Sequence, residues 1–277
     1  LGQVWARLGA QVTVVEFLDR IVPGLDVEAA GQLQKSLKKL GIDFHLGTKV
    51  TGATSTKKGI RVQAEQDGKE VGFDAAKVLV AVGRRPLHEQ AGLEEAGVTL
   101  TERQRVQVNE QLQTSVPHVW AIGDLIDGPM LAHKAEEDGM AVAETISGLK
   151  GHIDYRLVPG VVYTHPELAG VGITEEQAKD EGRAVKIGRF NFIANGRAKA
   201  SGDVGGFVKV IADTETDELL GVTILGPRAS DLIAEAVTVM AFGGSSEDIA
   251  LICHAHPTFS EAVKEAALDA QGRVIHS

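Results

Sequence analysis

Two histidines and an acid lie close together near the end of the chain, in the run His254-Ala255-His256-Pro257-Thr258-Phe259-Ser260-Glu261. Pro257 restricts the residue before it to an extended backbone, which orients His256 at the entry to a predicted helix. An imidazole can accept a proton near neutral pH, and a carboxylate bonded to its other ring nitrogen would hold it in place. His256 is therefore the candidate general base, and Glu261 is its candidate partner.

Three other interpretations of the same run stay open. Thr258 and Glu261 have the spacing of a capping box, which would fully employ the carboxylate of Glu261. His254 and His256 could bind a metal ion, although no third ligand lies nearby in the sequence. Cys253 could act as a nucleophile beside a histidine, but we expect adjacent side chains to point apart and this thiol to be buried.

An acid follows the first predicted strand, because the β-branched run 11–16 ends at Glu16. In a dinucleotide-binding fold, an acid at this point accepts hydrogen bonds from ribose hydroxyls. Such a carboxylate also repels a 2′-phosphate and so favours NAD over NADP. The alternative is a solvated acid at a strand end, since the glycine-rich turn that supports the first interpretation does not precede it.

A second acid follows another predicted strand, residues 119–122, which turns at Gly123 and Asp124. The glycine permits close approach of a ligand, and the carboxylate can pair with vicinal hydroxyls. This pattern is typical of a turn that binds a ribose or a ribityl chain. An aspartate that simply closes an ordinary turn is the alternative.

The next predicted helix runs from about residue 131 to residue 146, with small side chains at a spacing of four, which let it approach a neighbour closely. Free N–H groups at its start suit an anionic or electron-rich ligand edge. The alternative is a plain first turn with core side chains. The residues concerned are Met130, Leu131, Ala132 and His133 in the first turn, and Ala135, Gly139 and Ala143 in the stripe of small residues.

Other signals predict the elements that must position these groups. Asp26 caps a helix that stops at Gly41, Asp67-Gly68 marks a hairpin, and the apolar run 77–82 predicts a buried strand. From residue 155 the pattern is α+β. There we predict strands at 160–164, 185–192, 206–212 and 219–225 and helices at 174–181, 230–242, 247–253 and 258–270.

Composition excludes several functional classes. The chain has 277 residues, of which 43% are hydrophobic and 24% charged, with a formal net charge of −10. An acidic chain repels phosphate backbones, so we expect no nucleic acid partner. The longest apolar run is too short to span a bilayer, no stretch resembles a signal peptide, and we expect no membrane association and no secretion. The single cysteine, Cys253, excludes an intramolecular disulfide.

Taken together, the motifs resemble the dihydrolipoamide dehydrogenase family, flavoprotein disulfide reductases that serve the 2-oxo acid dehydrogenase complexes and the glycine cleavage system. The resemblance covers essentially the whole chain. It rests on the order and spacing of Thr13-Val14-Val15-Glu16, Val82-Gly83-Arg84-Arg85-Pro86, Ala121-Ile122-Gly123-Asp124, Met130-Leu131-Ala132-His133-Lys134-Ala135, Tyr163-Thr164-His165-Pro166-Glu167, Arg197-Ala198-Lys199-Ala200 and His254-Ala255-His256-Pro257-Thr258.

The resemblance implies cofactor roles for individual residues. Glu16 would bind the NAD ribose, Val50 would border the adenine and Gly83 would pass close to the nicotinamide half. Asp124 would hold the FAD ribityl chain, and the backbone from Met130 to His133 would line the edge of the flavin ring.

The resemblance also implies a role for the histidine run. His256 would accept the dithiol proton, with Glu261 as its partner, because a thiolate and not a thiol attacks a disulfide. In the family this histidine reaches the active site of the other subunit, so a homodimer through the C-terminal domain is expected. Lipoyl domains of 2-oxo acid dehydrogenase complexes are the expected partners, in the bacterial cytoplasm or the mitochondrial matrix.

The fold that the resemblance implies is α/β. It would comprise an N-terminally truncated, Rossmann-like NAD-binding domain at 1–86, a central FAD-contacting remnant of the FAD-binding domain at 87–154, and an α+β dimerisation (interface) domain at 155–277. The first helix begins at residue 1 without a cap, which suggests a truncated chain.

Departures from the family pattern limit the expected activity. The FAD-binding glycine fingerprint and the redox-active cysteine pair are missing from the sequence, and Cys253 cannot replace them. We therefore expect the C-terminal part of such an enzyme, inactive in dithiol oxidation by itself. A glutathione reductase-like enzyme is the first alternative, against which Glu16 argues, and a non-catalytic dimerisation module is the second.

Overall fold

The computed structural model describes residues 1–276, which form two compact units. The large unit consists of residues 1–78 with residues 159–276, and the small unit is Leu79–Val158. The division into three domains, with boundaries at 86 and 154, stays a prediction.

The N-terminal part of the large unit contains the predicted helix–strand–helix–strand sequence. The side chain of Asp26 accepts a hydrogen bond from the Ala29 N–H at 3.0 Å and caps the second helix as predicted. Strands β1 and β2 pair in parallel, and β3, β4 and β5 form an antiparallel sheet. The elements are α1 Gly2–Arg7, β1 Thr13–Val15, α2 Val27–Lys39, β2 Asp43–His45, β3 Thr48–Thr56, β4 Gly59–Gln66 and β5 Lys69–Ala75.

The predicted hairpin joins β4 to β5. Asp67 and Gly68 have φ values of 51° and 72°, the left-handed conformations that a tight two-residue turn requires.

The small unit contains one long helix, α3 Ala132–Ile146, and a short 3₁₀ turn at Gly123–Leu125. Its core is small and consists of Val98, Val106, Leu112, Ala121 and Ile126.

Two strand predictions in this region are wrong. Residues 77–82 have no regular structure, and Val82 is 91% exposed. Residues 119–122 form only an isolated bridge between Gln113 and Trp120. A strand is stable only where a neighbour accepts and donates its ladder hydrogen bonds, and no strand within residues 1–276 pairs with residues 77–82.

The C-terminal part of the large unit is α+β, as predicted. A five-stranded antiparallel sheet has the order β6-β7-β10-β9-β8. Strand β7 and helix α5 were not predicted, because both are short and rich in small residues. The elements are β6 Gly160–Val162, β7 Glu167–Gly172, α4 Glu175–Asp180, β8 Val185–Asn191, α5 Gly196–Ser201, β9 Phe207–Asp213, β10 Leu219–Gly226, α6 Ala229–Ala241, α7 Ser246–Leu251 and α8 Glu261–Ala270.

Both faces of this sheet are covered. Val208 and Ile224 project from one face into a core that they share with residues of α6, α7 and α8. Phe207 and Leu225 project from the other face and pack against Leu33 of α2. Alternate residues of β9 and β10 are thus buried on opposite sides, which explains why both strands are buried along nearly their whole length.

A buried ion cluster holds α2 on this sheet. The Lys209 ammonium on β9 is 3% exposed and lies 3.0 Å from Asp26, 2.9 Å from Glu28 and 2.8 Å from Glu175. Burial alone would lower the pKa of Lys209, but its three carboxylate partners outweigh that effect and raise the pKa above its usual value. The Lys209 ammonium therefore keeps its charge at neutral pH.

Within residues 1–276, no helix has the length and apolar character needed to cross a bilayer.

Candidate functional site

His256 lies in the extended loop that precedes α8, and Glu261 is the first residue of that helix. The Nδ1 atom of His256 lies 2.8 Å from Oε1 of Glu261. An ionised carboxylate only accepts hydrogen bonds, so this contact places the ring proton on Nδ1 and leaves the Nε2 lone pair free to accept a proton. The His256 side chain is 76% exposed, so the ring is open to a ligand from outside.

The same carboxylate serves the helix as well. Its Oε2 atom accepts the Thr258 N–H at 2.7 Å, which is one half of the predicted capping box. Thr258 Oγ1 donates to the Ala255 carbonyl, and the N-cap of α8 is Ser260 and not Thr258, so the full capping box does not form. Burial alone would raise the pKa of Glu261, but the Thr258 N–H and His256 bonds outweigh it and hold the pKa below its usual value. The capping and orienting interpretations are therefore compatible, and Glu261 does both.

His254 has a separate role in this loop. Its Nε2 atom lies 2.7 Å from Oε1 of Glu235 on α6, and its side chain is only 6% exposed. The hydrogen bond to Glu235 raises the pKa of His254 above its usual value. The two histidines therefore bond to different carboxylates, which does not favour a shared metal ion.

The prediction that Cys253 is buried is wrong, because the residue is exposed. Helix α7 ends at Leu251, so the helix does not carry Cys253 into the core.

The predicted NAD residues Glu16 and Val50 lie near each other in the large unit. Glu16 follows β1 and donates its N–H to the His45 carbonyl of β2. Its own carbonyl accepts the N–H of Thr48, the residue that opens β3 two positions before Val50. One carboxylate oxygen of Glu16 accepts the Leu18 N–H at 2.9 Å, and the Val50 side chain is half exposed.

In the small unit, the Gly123 turn lies directly against α3. Gly123 has a φ of 68°, and a Cβ atom there would lie 3.0 Å from the Cβ of Ala135. Both the backbone conformation and the space therefore favour glycine. The predicted stripe of small residues on α3 is used for this close approach, since the next member, Gly139, lies against Ile122.

A buried polar network fixes this contact, and sequence reasoning missed it. Lys134 and Asp138 are both fully buried on α3, with Nζ and Oδ2 2.7 Å apart. Asp138 accepts the Gly123 N–H at 2.8 Å, and Lys134 donates to the Gly123 carbonyl at 3.1 Å. Both polar groups of Gly123 are thus held by α3. The signal for the ion pair was available, because positions 134 and 138 are four residues apart and so are neighbours on one face of a helix.

Tyr155 completes the network. Its hydroxyl donates to Oδ1 of Asp138 at 2.8 Å, and its ring lies 5.0 Å from the Lys134 ammonium. Burial and the hydrogen bond to Asp138 raise the pKa of Tyr155 above its usual value, so the phenol stays protonated.

Asp124 is partly exposed and lies beside a basic side chain. Its carboxylate is 42% exposed and lies 3.6 Å from the guanidinium of Arg84, the neighbour of Gly83. The N-cap of α3 is Leu131, whose apolar side chain makes no hydrogen bond to the helix. Asp124 follows Gly123, which lies against Ala135 of α3, and Met130, Leu131, Ala132 and His133 lead into that helix. The contact of these residues with FAD stays a prediction.

Comparisons with known proteins show which family this chain resembles. Residues 1–139 match the family model described as pyridine nucleotide-disulphide oxidoreductase, and residues 158–267 match the dimerisation domain of the same family. Among curated proteins, the mitochondrial dihydrolipoyl dehydrogenase of Caenorhabditis elegans is 53% identical over 100% of this chain and 57% of its own length. Dihydrolipoyl dehydrogenase 3 of Pseudomonas putida is 52% identical over 98% of this chain and 59% of its own length.

The fold is also found among solved structures. A crystal structure of LpdA from Mycobacterium tuberculosis superposes with a TM-score of 0.88 at 27% identity, covering 96% of this chain and 57% of that chain. The chain therefore spans somewhat more than half the length of the relatives that it matches.

Proposed function

The chain belongs to the pyridine nucleotide-disulphide oxidoreductase family, and we propose that it is the C-terminal part of a dihydrolipoyl dehydrogenase. The complete reaction oxidises protein-bound dihydrolipoamide to the disulfide, which releases two electrons and two protons. NAD takes up the two electrons with one proton, and the other proton is released. The observation that supports this assignment best is the exposed His256 imidazole held by Glu261.

His256 acts in this proposal as the proton acceptor. A dithiol attacks a disulfide only as the thiolate, so its proton must first be removed. With Nδ1 hydrogen-bonded to Glu261, Nε2 of His256 accepts that proton. The Glu261 carboxylate then lies beside the imidazolium and stabilises its charge.

Different residues serve the two cofactors in this proposal. FAD, when bound, supplies the two-electron acceptor between the disulfide and NAD. Asp124 would hold the ribityl hydroxyls, and the α3 N-terminus from Met130 to His133 would line the ring edge. Glu16 would accept hydrogen bonds from the NAD ribose, Val50 would border the adenine and Gly83 would lie by the nicotinamide half.

A homodimer completes the site in this proposal. The match of residues 158–267 to a dimerisation domain supports it. Several large apolar side chains of this region are exposed, as expected for a surface that a second subunit covers. They are Tyr163, Ile193, Phe242, Leu251 and Ile252. The proposed partners beyond the second subunit are the lipoyl domains of 2-oxo acid dehydrogenase complexes, in the bacterial cytoplasm or the mitochondrial matrix.

A pair of measurements tests the assignment. The chain by itself has one cysteine and is expected to give no NAD reduction with dihydrolipoamide. Fusing the N-terminal segment of the Pseudomonas putida relative ahead of residue 1 should restore turnover. In that fusion, His256→Gln should lower kcat by a factor of about 10²–10⁴, as expected on loss of a general base. Turnover by the chain alone, or full activity of the H256Q fusion, would refute the proposal.

For the chain by itself, the second candidate is a non-catalytic dimerisation module, which the single cysteine favours. Equilibrium sedimentation with and without FAD tests it. A dimer that ignores FAD supports this role, whereas a monomer excludes it.

A further inference from the structure

Helix α5 has no role in the function described so far, although its residues belong to one of the family-like motifs. Its N-cap is Asn195, whose Oδ1 atom accepts the Ala198 N–H at 2.9 Å. Asn195 is 4% exposed, so its side chain is almost completely buried. Its amide nitrogen does not serve the helix. It donates to the carbonyl oxygen of Thr258 at 3.0 Å.

Both backbone polar groups of Thr258 are therefore hydrogen-bonded to side chains. Its N–H donates to Glu261, and its carbonyl accepts from Asn195. Thr258 follows Pro257, which in turn follows His256. Only a few backbone dihedrals separate the anchored residue from the imidazole, so fixing Thr258 limits where the ring can lie.

Two further contacts join the same segments. The ring of His256 lies against the start of α5, because a Cβ atom at Gly196 would be 3.8 Å from the ring atom Cε1. The rings of Phe192 and Phe259 meet edge to face, with centroids 6.4 Å apart. The loop before α8, residues 252–260, is here called the histidine loop. Residues 192–196 contact it on either side of Thr258, at His256 and at Phe259.

We propose that Asn195 is a positioning residue for His256: its buried amide anchors the Thr258 carbonyl and so keeps the imidazole bonded to Glu261 through Nδ1. The position of the base in the reaction rests on the proposed function, but the anchoring does not. When this bond is lost, the loop gains freedom and the ring is no longer confined to the tautomer that leaves Nε2 without a proton.

The test measures the ring tautomer directly. In the full chain labelled with ¹⁵N-histidine, at about pH 9 where an unperturbed imidazole is neutral, Nδ1 and Nε2 of His256 should give well-separated shifts. Asn195→Ser keeps an oxygen to cap α5 but is too short to reach Thr258. Asn195→Asp keeps the size and the cap but cannot donate. In both variants the separation of the two shifts should fall by at least about half, which corresponds to a tautomer mixture of about 3:1 or closer to equal.

Thr174→Ala is the matched control, because Thr174 caps a different helix, α4, through hydrogen bonds with Gln177. It should leave the His256 shifts unchanged. Wild-type shifts in both Asn195 variants, with a native circular dichroism spectrum, would overturn the inference. That result is distinct from failure of the proposed function, which would instead appear as full activity of the H256Q fusion.

Discussion

Two apolar segments of similar composition differ sharply in burial. Strands β9 and β10 of the large unit are almost completely buried, and Ile224 has no exposed surface. Residues 77–82 are as rich in Val and Leu, yet Val80 and Val82 are 74% and 91% exposed. The difference lies in the surroundings, since β9 and β10 have strand neighbours on both edges and helices on both faces.

An apolar composition is therefore not sufficient for a segment to be buried. Burying a strand removes its backbone groups from water, so the ladder hydrogen bonds must be made at the same time. The C-terminal sheet makes them with its own neighbours. The run 77–82 makes none with the described strands, and its side chains stay in contact with water.

Hydrogen exchange should show the largest difference between these segments. The amide hydrogen bonds of β9 and β10 break only when the sheet unfolds, whereas the amides of residues 79–87 make no hydrogen bonds to a neighbouring strand. We expect exchange to be slower in the two strands by a factor of about 10³ or more. Mass spectrometry of peptic peptides would measure it, and limited proteolysis should cut 79–158 before 159–276. Equal protection of both segments would show that residues 77–82 pair as a strand.

The two units can also be compared through one buried lysine in each, Lys209 in the large unit and Lys134 in the small unit. Lys209→Met leaves Asp26, Glu28 and Glu175 together without their shared ammonium, and we expect a loss of about 3–5 kcal/mol in the free energy of unfolding. Lys134→Met should cost less, because Asp138 keeps the Gly123 N–H and the Tyr155 hydroxyl as donors.

Urea unfolding separates the two effects, because Trp5 lies in the large unit and Trp120 in the small one. Variants that keep one tryptophan report the unit in which it lies. Arg61→Met is the control, since its exposed pair with Asp74 should contribute at most about 1 kcal/mol. A Lys209→Met loss no larger than that of the control would show that the cluster contributes nothing net.

The smallest expected effect is a pH dependence in the histidine loop. The pKa of His254 is raised by Glu235, so the pair contributes stability that is present below the unfolded pKa of about 6.5. That contribution is lost as the pH rises through the folded pKa. The difference in Tm between wild type and His254→Gln should therefore be larger at about pH 5.5 than at about pH 8.5. Glu235→Gln should remove the same pH dependence, and a difference independent of pH in both variants would contradict it.

Local signals predicted much of the fold. Asp26 caps α2 and Asp67-Gly68 makes the hairpin turn, both as predicted. A capping box of Thr174 and Gln177 begins α4, within the helix predicted at 174–181. These features depend on side chains within three or four residues of one another, so the sequence contains all the information they need. Strands were predicted less accurately, because a strand pairs with segments that are distant in the chain.

The His256–Glu261 pair could also be predicted from the sequence, because the two residues are only five positions apart and Pro257 restricts the backbone between them. The bonds from Asn195 to Thr258 and from Asp138 to Gly123 span 63 and 15 positions. No local pattern specifies such partners. Residue types and spacing thus determine the chemistry that this chain offers and most of its helices. Which apolar runs are buried, and which buried polar groups hold the site, depends on the tertiary structure, because long-range packing determines their neighbours.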